Sequence, residues 1–223
     1  MPRTKRISIG NYVYHVLNHS NARAQIFDND EDYRAFEKIL EEGVKRFDMR
    51  LLAYCLMPNH WHLVLFPKKD GDLSHFMAWL TNTHTRRWHM VKGTVSQGHL
   101  YQGRYKSFLC QNNNHCLALI RYVERNAKRA NMVQWAEDWR WSSAWRREKG
   151  TEQQKKILSL WPIEIPKNYL SILNEPQSAQ EELTIRHSVI RSSPYGQNEW
   201  VQIIAKRFNL ESTLRPKGRP LKR

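Results

Sequence analysis

His60-Trp61-His62 sets two imidazoles two residues apart at the start of an apolar run, HWHLVLF. In a strand, residues two apart project from one face. Both imidazoles then point together, while Trp61, Leu63 and Leu65 take the opposite face and can be buried. Two neutral imidazoles at this spacing can hold one divalent cation. The spacing alone is a weak signal, because a pair of structural histidines or a carboxylate-free zinc site would look the same. A second constellation lies in HCLALIRYVERNAKRAN, residues 115 to 131. Cys116, Ile120, Val123, Ala127 and Ala130 recur at steps of three and four and form a core stripe. Tyr122 is one residue off that stripe, on the flank of the helix. Asn126 follows it by four and shares its face. Arg125 and Arg129 lie near the same side, so a phenol, an amide and guanidinium groups converge. A boundary tyrosine among solvated arginines would give the same pattern.

The elements that must carry these residues follow from periodicity and turn chemistry. NYVYHVLN (11–18) is strand-like. Asn29-Asp30-Glu31-Asp32 open a helix that keeps its spacing through Phe36, Ile39, Leu40 and Val44 to about Asp48. MRLLAYCLM (49–57) reads as a buried strand, Pro58-Asn59 as a turn, and residues 60–66 as a second strand, pairing as an antiparallel hairpin. Residues 73–91 form a helix and LYQGRYKSFLC (100–110) a further strand, on which Tyr101 and Tyr105 share a face. Asn112-Asn113-Asn114 cap a helix from His115 to Asn131, and WRWSSAW (139–145) packs the end of the domain. Strands adjacent in sequence and mixed with helices predict an α+β fold, an antiparallel sheet flanked by helices. Residues 1–147 then make one domain. Residues 148–223 make an extension: a polar linker with short helical pieces to about 180, a small amphipathic helix at 198–209, and a basic tail that is mobile when free.

Composition sets the partners. The chain of 223 residues has 36 Lys and Arg against 21 Asp and Glu, a net charge of +15, and the basic residues are clustered. Such an excess attracts polyanions, nucleic acid first. Arg86, Arg87, Arg104, Lys106, Arg121, Arg125, Lys128 and Arg129 are candidates for phosphate contacts. Trp88, Tyr101 and Tyr105 are candidates for stacking on unpaired bases. For each, a solvated charge or a core aromatic is the bland alternative. No apolar run approaches the ~18 residues of a membrane span, and no apolar stretch follows the charges of the N-terminus. Cys55, Cys110 and Cys116 match no zinc or redox spacing and read as core residues in a reducing, cytoplasmic compartment. His15, His19, His84, His89, His99 and His115 read as structural or solvent-facing.

Four blocks in order, MPNHWHLVLFP, SHFMAWLTNTHTRRWH, GHLYQGRYKSF and RYVERNAKRANMV, resemble the REP-associated tyrosine transposases over about residues 8–147. These belong to the single-tyrosine HUH transposases, named for two histidines around a bulky hydrophobic residue. ESTLRPKGRPLK is similar to the C-terminal ends of some members. The resemblance implies a ferredoxin- or RRM-like HUH endonuclease fold. It implies Mg2+ or Mn2+ held by His60 and His62, with Asn126 as third ligand where some relatives have Gln. It implies Tyr122 as the nucleophile that forms a covalent 5′-phosphotyrosine. The expected activity is nicking and strand transfer on single-stranded, REP-type hairpin DNA with a short 5′ guide, and a bacterial, nucleoid-associated location follows. Related insertion-sequence enzymes are dimers with the tyrosine supplied in trans, whereas the REP-associated kind resembles a monomer. In the tail, Arg215, Lys217 and Arg219 resemble an arm that grips the hairpin stem through a minor groove. A free phenol has a pKa of ~10, so the nucleophile needs help to ionise. Metal-bound imidazoles must be neutral, so activity is expected to fall in acid. Three alternatives remain: a catalytically silent DNA-binding protein, an RNA-binding domain, and a relaxase or replication initiator. The short chain disfavours the last.

Overall fold

The computed structural model describes residues 6–215. In chain order come β1 (Val13–His19), α1 (Asp30–Phe47), β2 (Arg50–Met57), β3 (His60–Phe66), α2 (Asp72–Val91), β4 (Lys106–Cys110), α3 (Asn114–Glu124) and α4 (Asn126–Arg129). The strands form one antiparallel sheet in the order β2-β3-β1-β4. This is the α+β architecture expected, an antiparallel sheet with flanking helices.

Local chemistry explains the elements. The Asn29 side chain accepts from the Asp32 N–H at 3.0 Å, and three acidic residues fill the first turn of α1. The helix ends where Asp48 turns left-handed, at φ 48°. Met57 pairs with His60, so Pro58 and Asn59 are the whole hairpin loop between β2 and β3. A bulge between Leu51 and Ala53 resets β2. Beyond it, Tyr54 and Leu56 point to one face, and Cys55 and Met57 to the other.

Each face of the sheet has its own core. On the first, Tyr14, Val16, Trp61, Leu63 and Leu65 pack against Phe36, Ile39, Leu40, Phe76 and Leu80 of α1 and α2. Gly43 lets those helices approach: a Cβ there would lie 2.9 Å from the Trp79 ring. On the second, Val13, Cys55, Val64, Phe108 and Cys110 pack against Leu119, Ile120 and Val123 of α3. The three cysteines are free and buried, as expected.

The C-terminal part continues with α5 (Ser143–Lys149), α6 (Glu152–Lys155), α7 (Tyr169–Asn174), α8 (Ala179–Arg191), α9 (Asn198–Arg207) and α10 (Glu211–Leu214). It shares the cores described above: Trp161, Tyr169, Leu173, Ile185 and Tyr195 join the α3 face, and Ile204, Ala205 and Leu210 join the other. Helix α8 has no counterpart in the sequence expectations. Its apolar stripe is thin, with Ile185 buried but Leu183 59% and Ile190 64% exposed.

Two sequence expectations are corrected here. The strand expected over 100–110 begins only at Lys106, and Tyr101 makes a single isolated bridge to Ser20, just past β1. Tyr101 and Tyr105 therefore do not share a strand face. The physical reason is the Tyr101 hydroxyl, which accepts from Trp61 Nε1 at 3.0 Å and lies 2.5 Å from His84 Nδ1, drawing the ring into the core. The helix expected over 115–131 is interrupted at Arg125, where ψ opens to −1°. Lys217 and Arg219 lie outside the described residues.

Burial lowers the pKa of His84 to about 3. Between that value and the unfolded value of ~6.5 the unfolded chain binds the proton and the folded chain does not, so stability falls as pH drops through this window. From pH 7 to 5 the loss at one such site is about 2 kcal/mol. Chemical denaturation at both pH values should show His84→Gln losing less than the parent by about that amount; equal losses would remove His84 as the cause.

Candidate active site

The alternation of β3 puts His60 and His62 on the α3 face, with ring centroids 5.1 Å apart. Each imidazole commits its Nδ1 to the protein. His60 Nδ1 lies 2.6 Å from Asn59 Oδ1, and His62 Nδ1 lies 2.8 Å from His15 Nε2. Neither Nε2 has a hydrogen-bond partner among the described residues. Burial, reinforced by His19 and Arg129, lowers His60 to about 3, and burial with His15 and His60 holds His62 well below the ordinary imidazole value. Both rings are thus neutral, the form that binds metal. The acid sensitivity expected of an ordinary imidazole moves to a correspondingly lower pH.

Tyr122 is buried among the core residues of the same face rather than on an open flank. Its ring stands edge-on to His62 with centroids 6.3 Å apart, and the Arg129 guanidinium lies 4.1 Å over it. Arg129 also donates to Asn126 Oδ1 at 2.6 Å. The Asn126 amide donates back to the carbonyls of Tyr122 and Val123 at 3.2 and 3.1 Å, which defines its orientation. The convergence read from the sequence therefore holds for Tyr122, Asn126 and Arg129. It does not hold for Arg125, which turns away and donates to the carbonyls of Leu173 and Glu175.

Two neutral imidazoles on one strand face can share in holding one divalent cation. Among the described residues no three His, Cys, Asp or Glu side chains are grouped to hold a metal. Asn126, the third ligand that the resemblance implies, has its Oδ1 engaged by Arg129 and keeps one further lone pair.

The other sequence candidates divide. Arg104 and Lys106 are exposed and line a groove of about 360 Å3 with His19 and Asn18. Arg86 is exposed on α2, and Arg87 beside it is paired with Glu42 at 2.8 Å. Arg121 reaches the Glu175 carbonyl at 3.3 Å, and Lys128 reaches Asn174 Oδ1 at 3.3 Å. Tyr105 is buried with Arg6 stacked 4.0 Å over its ring, and Trp88 donates to the Ile26 carbonyl at 3.1 Å. Tyr101 is a core residue, held as described above. Arg215 is exposed, its carbonyl accepting from Arg191 at 3.0 Å.

Sequence reasoning missed the residues around the histidines. His15 touches His62, and His19 stacks near His60 with centroids 4.7 Å apart. Their scatter in the sequence reads as structural or solvent-facing. Only the pairing of Leu17 with His62 and of His19 with His60 places them there, and that pairing joins segments distant in sequence.

Glu124 was missed as well. It is fully buried on α3, two residues after Tyr122, and accepts from the Ser143 and Tyr169 hydroxyls, each at 2.5 Å. Burial raises its pKa, and Arg147 at 3.9 Å opposes that rise. This carboxyl ties the helix of Tyr122 to α5 and α7. Glu124→Ala would strand the buried Tyr169 hydroxyl, while Ser143 keeps the Tyr54 carbonyl at 3.2 Å, and should lower stability by about 3 kcal/mol, with Glu124→Gln costing less. Urea denaturation measures both; an alanine variant within ~1 kcal/mol of the parent would exclude this role.

The model of the family described as "Transposase IS200 like" matches residues 8–126, a stretch that contains His60, His62 and Tyr122 and ends at Asn126. Among solved structures, a REP-associated tyrosine transposase bound to a REP hairpin is similar at a TM-score of 0.55 and 18% identity, over 66% of this chain and 84% of that one. A transposase from Deinococcus radiodurans R1 matches at a TM-score of 0.41 and 22% identity, over 56% of this chain and 97% of that one, too weakly to bear on the fold. No curated protein matches the chain. The sheet and its flanking helices have the fold of a REP-associated tyrosine transposase, and the chain belongs to the IS200-like transposase family.

Proposed function

We propose that this transposase is a metal-dependent single-strand DNA endonuclease and strand transferase acting on REP-type hairpin DNA. The observation that carries the reading is the juxtaposition, within one chain, of two imidazoles oriented through Nδ1 and a tyrosine ring 6.3 Å from the second of them. His60, His62 and Asn126 would hold Mg2+ or Mn2+. When bound, the ion supplies charge neutralisation at the scissile phosphate.

The chain's own groups do the rest. Tyr122 gives up its phenolic proton, its Oη attacks phosphorus, an Oη–P bond forms, the P–O3′ bond breaks, and the departing O3′ takes up a proton to become a 3′-hydroxyl. The product is a 5′-phosphotyrosine. A different 3′-hydroxyl reversing the step joins strands without an external energy source, because the number of phosphodiester bonds is conserved. Arg129, 4.1 Å over the ring, makes a cation–π contact that holds the ring in place beside His62. Lys106 and Arg104 line the neighbouring groove and would neutralise the strand leading away from the site. Residues 1–147 carry the chemistry. Residues 148–223 support α3 through Tyr169, Leu173 and Glu175 and supply the basic tail. The tyrosine and the histidines meet in cis, which favours a working monomer.

Labelled single-stranded REP hairpin DNA incubated with the protein and Mg2+ or Mn2+ should yield a covalent protein–DNA adduct and a free 3′-hydroxyl fragment. Tight hairpin binding without cleavage under either metal would replace this reading with that of a silent DNA-binding protein.

A further inference from the structure

We infer that His15 is a positioning residue that sets the tautomer of His62 and so decides whether that imidazole can bind a cation. The inference rests on the proposed metal role of His62.

The contact joins two imidazoles, His15 Nε2 and His62 Nδ1, at 2.8 Å. Water has little access, for His15 is 1% and His62 4% exposed. In a bond between two neutral rings, one nitrogen donates and the other accepts. If His62 Nδ1 donates, its Nε2 keeps a lone pair and is a ligand. If His15 Nε2 donates, the only proton of neutral His62 sits on Nε2, and that atom cannot coordinate. The position of one proton on His15 thus switches the ligand on or off.

His60 supplies the internal comparison. Asn59 Nδ2 donates to the Arg23 carbonyl at 3.3 Å, so Asn59 Oδ1 faces His60 and can only accept. His60 must then carry its proton on Nδ1 and keep Nε2 free. For both rings to bind one ion, His62 needs the same tautomer, and His15 Nε2 must be the acceptor. His15 lies on β1, one of the two inner strands, with its ring centroid 4.9 Å from that of Phe108. Outer partners of ligating histidines are usually carboxylates, carbonyls or water. A neutral imidazole orients His62 without adding negative charge, leaving the site a modest donor set suited to a labile hard cation.

The test is long-range 1H–15N correlation of the imidazoles in the metal-free, full-length protein, with Mn2+ affinity measured by electron paramagnetic resonance. The parent should show His62 with a protonated Nδ1 and an unprotonated Nε2. His15→Phe, which fills the space beside Phe108 without an acceptor, should lose that single tautomer and bind Mn2+ about 10–100-fold more weakly. His15→Gln restores an acceptor oxygen and should recover most of both. A parent His62 protonated on Nε2, or a folded His15→Phe with the parent tautomer and affinity, overturns the inference. If His15→Phe does not fold, the tautomer of the parent and of His15→Gln still decides. A parent with the expected tautomer but no Mn2+ binding at His60 and His62 would support the positioning role and reject the metal reading instead.

Discussion

Tyr122→Phe should abolish the covalent protein–DNA adduct and leave hairpin binding intact. The substitution removes one oxygen and nothing else. The phenyl ring keeps its place in the α3-face core, edge-on to His62 and beneath Arg129. Stability should therefore change by less than ~1 kcal/mol. In the proposed mechanism cleavage depends on that oxygen as the atom that bonds to phosphorus, and loss of a nucleophile lowers turnover on the order of 10^4-fold or more. Denaturing gels of labelled hairpin report the adduct, and a mobility shift reports binding. An adduct that persists in Tyr122→Phe would transfer the nucleophile to another residue. Joint loss of adduct and binding would make Tyr122 structural.

The second large effect concerns the source of the residues. His60→Ala and His62→Ala should each reduce cleavage to background in Mg2+ or Mn2+, because each removes one of two Nε2 donors whose rings are oriented by Asn59 and His15. Mixing His62→Ala with Tyr122→Phe should restore nothing. In the proposed site Tyr122 and His62 belong to one chain, and α3 is tied to its own α5, α7 and the Glu175 carbonyl just past α7 through Glu124, Arg125 and Arg121. Releasing α3 to serve a second molecule would strand the buried Glu124 carboxyl, at a cost of several kcal/mol. A mixture that recovers a substantial share of parent activity would establish a tyrosine supplied in trans and contradict the cis arrangement.

Much of this site was legible before any coordinates. A period of two assigns His60 and His62 to one strand face, and Pro58-Asn59 marks the hairpin that starts β3. Periods of three and four place the α3 core stripe. The cap and acidic first turn of α1 are written into Asn29 through Asp32. All of these are local: the interacting groups lie within a few residues, and chain stereochemistry alone brings them together. Local spacing also brought Tyr122 and Asn126 together, and the helix delivered that pair despite its break at Arg125.

Contacts between distant segments were decided by the tertiary structure. Whether Arg125 faces a phosphate or the carbonyls of Leu173 and Glu175 depends on the return of the chain some fifty positions later. Periodicity makes Tyr101 a strand residue, but its hydroxyl finds Trp61 and His84 inside the core and the strand starts five residues later, at Lys106. A buried polar group must find a partner, and its identity is settled only when two remote surfaces close on each other. His15 and His62 are 47 residues apart, and the register of β1 against β3 alone makes them one unit. The amino-acid sequence determined which groups could do chemistry and the helices and strands that present them. Long-range strand pairing and burial decided which are neutral, which are oriented and which are held away from the site, because desolvation and hydrogen-bond satisfaction are properties of the packed chain.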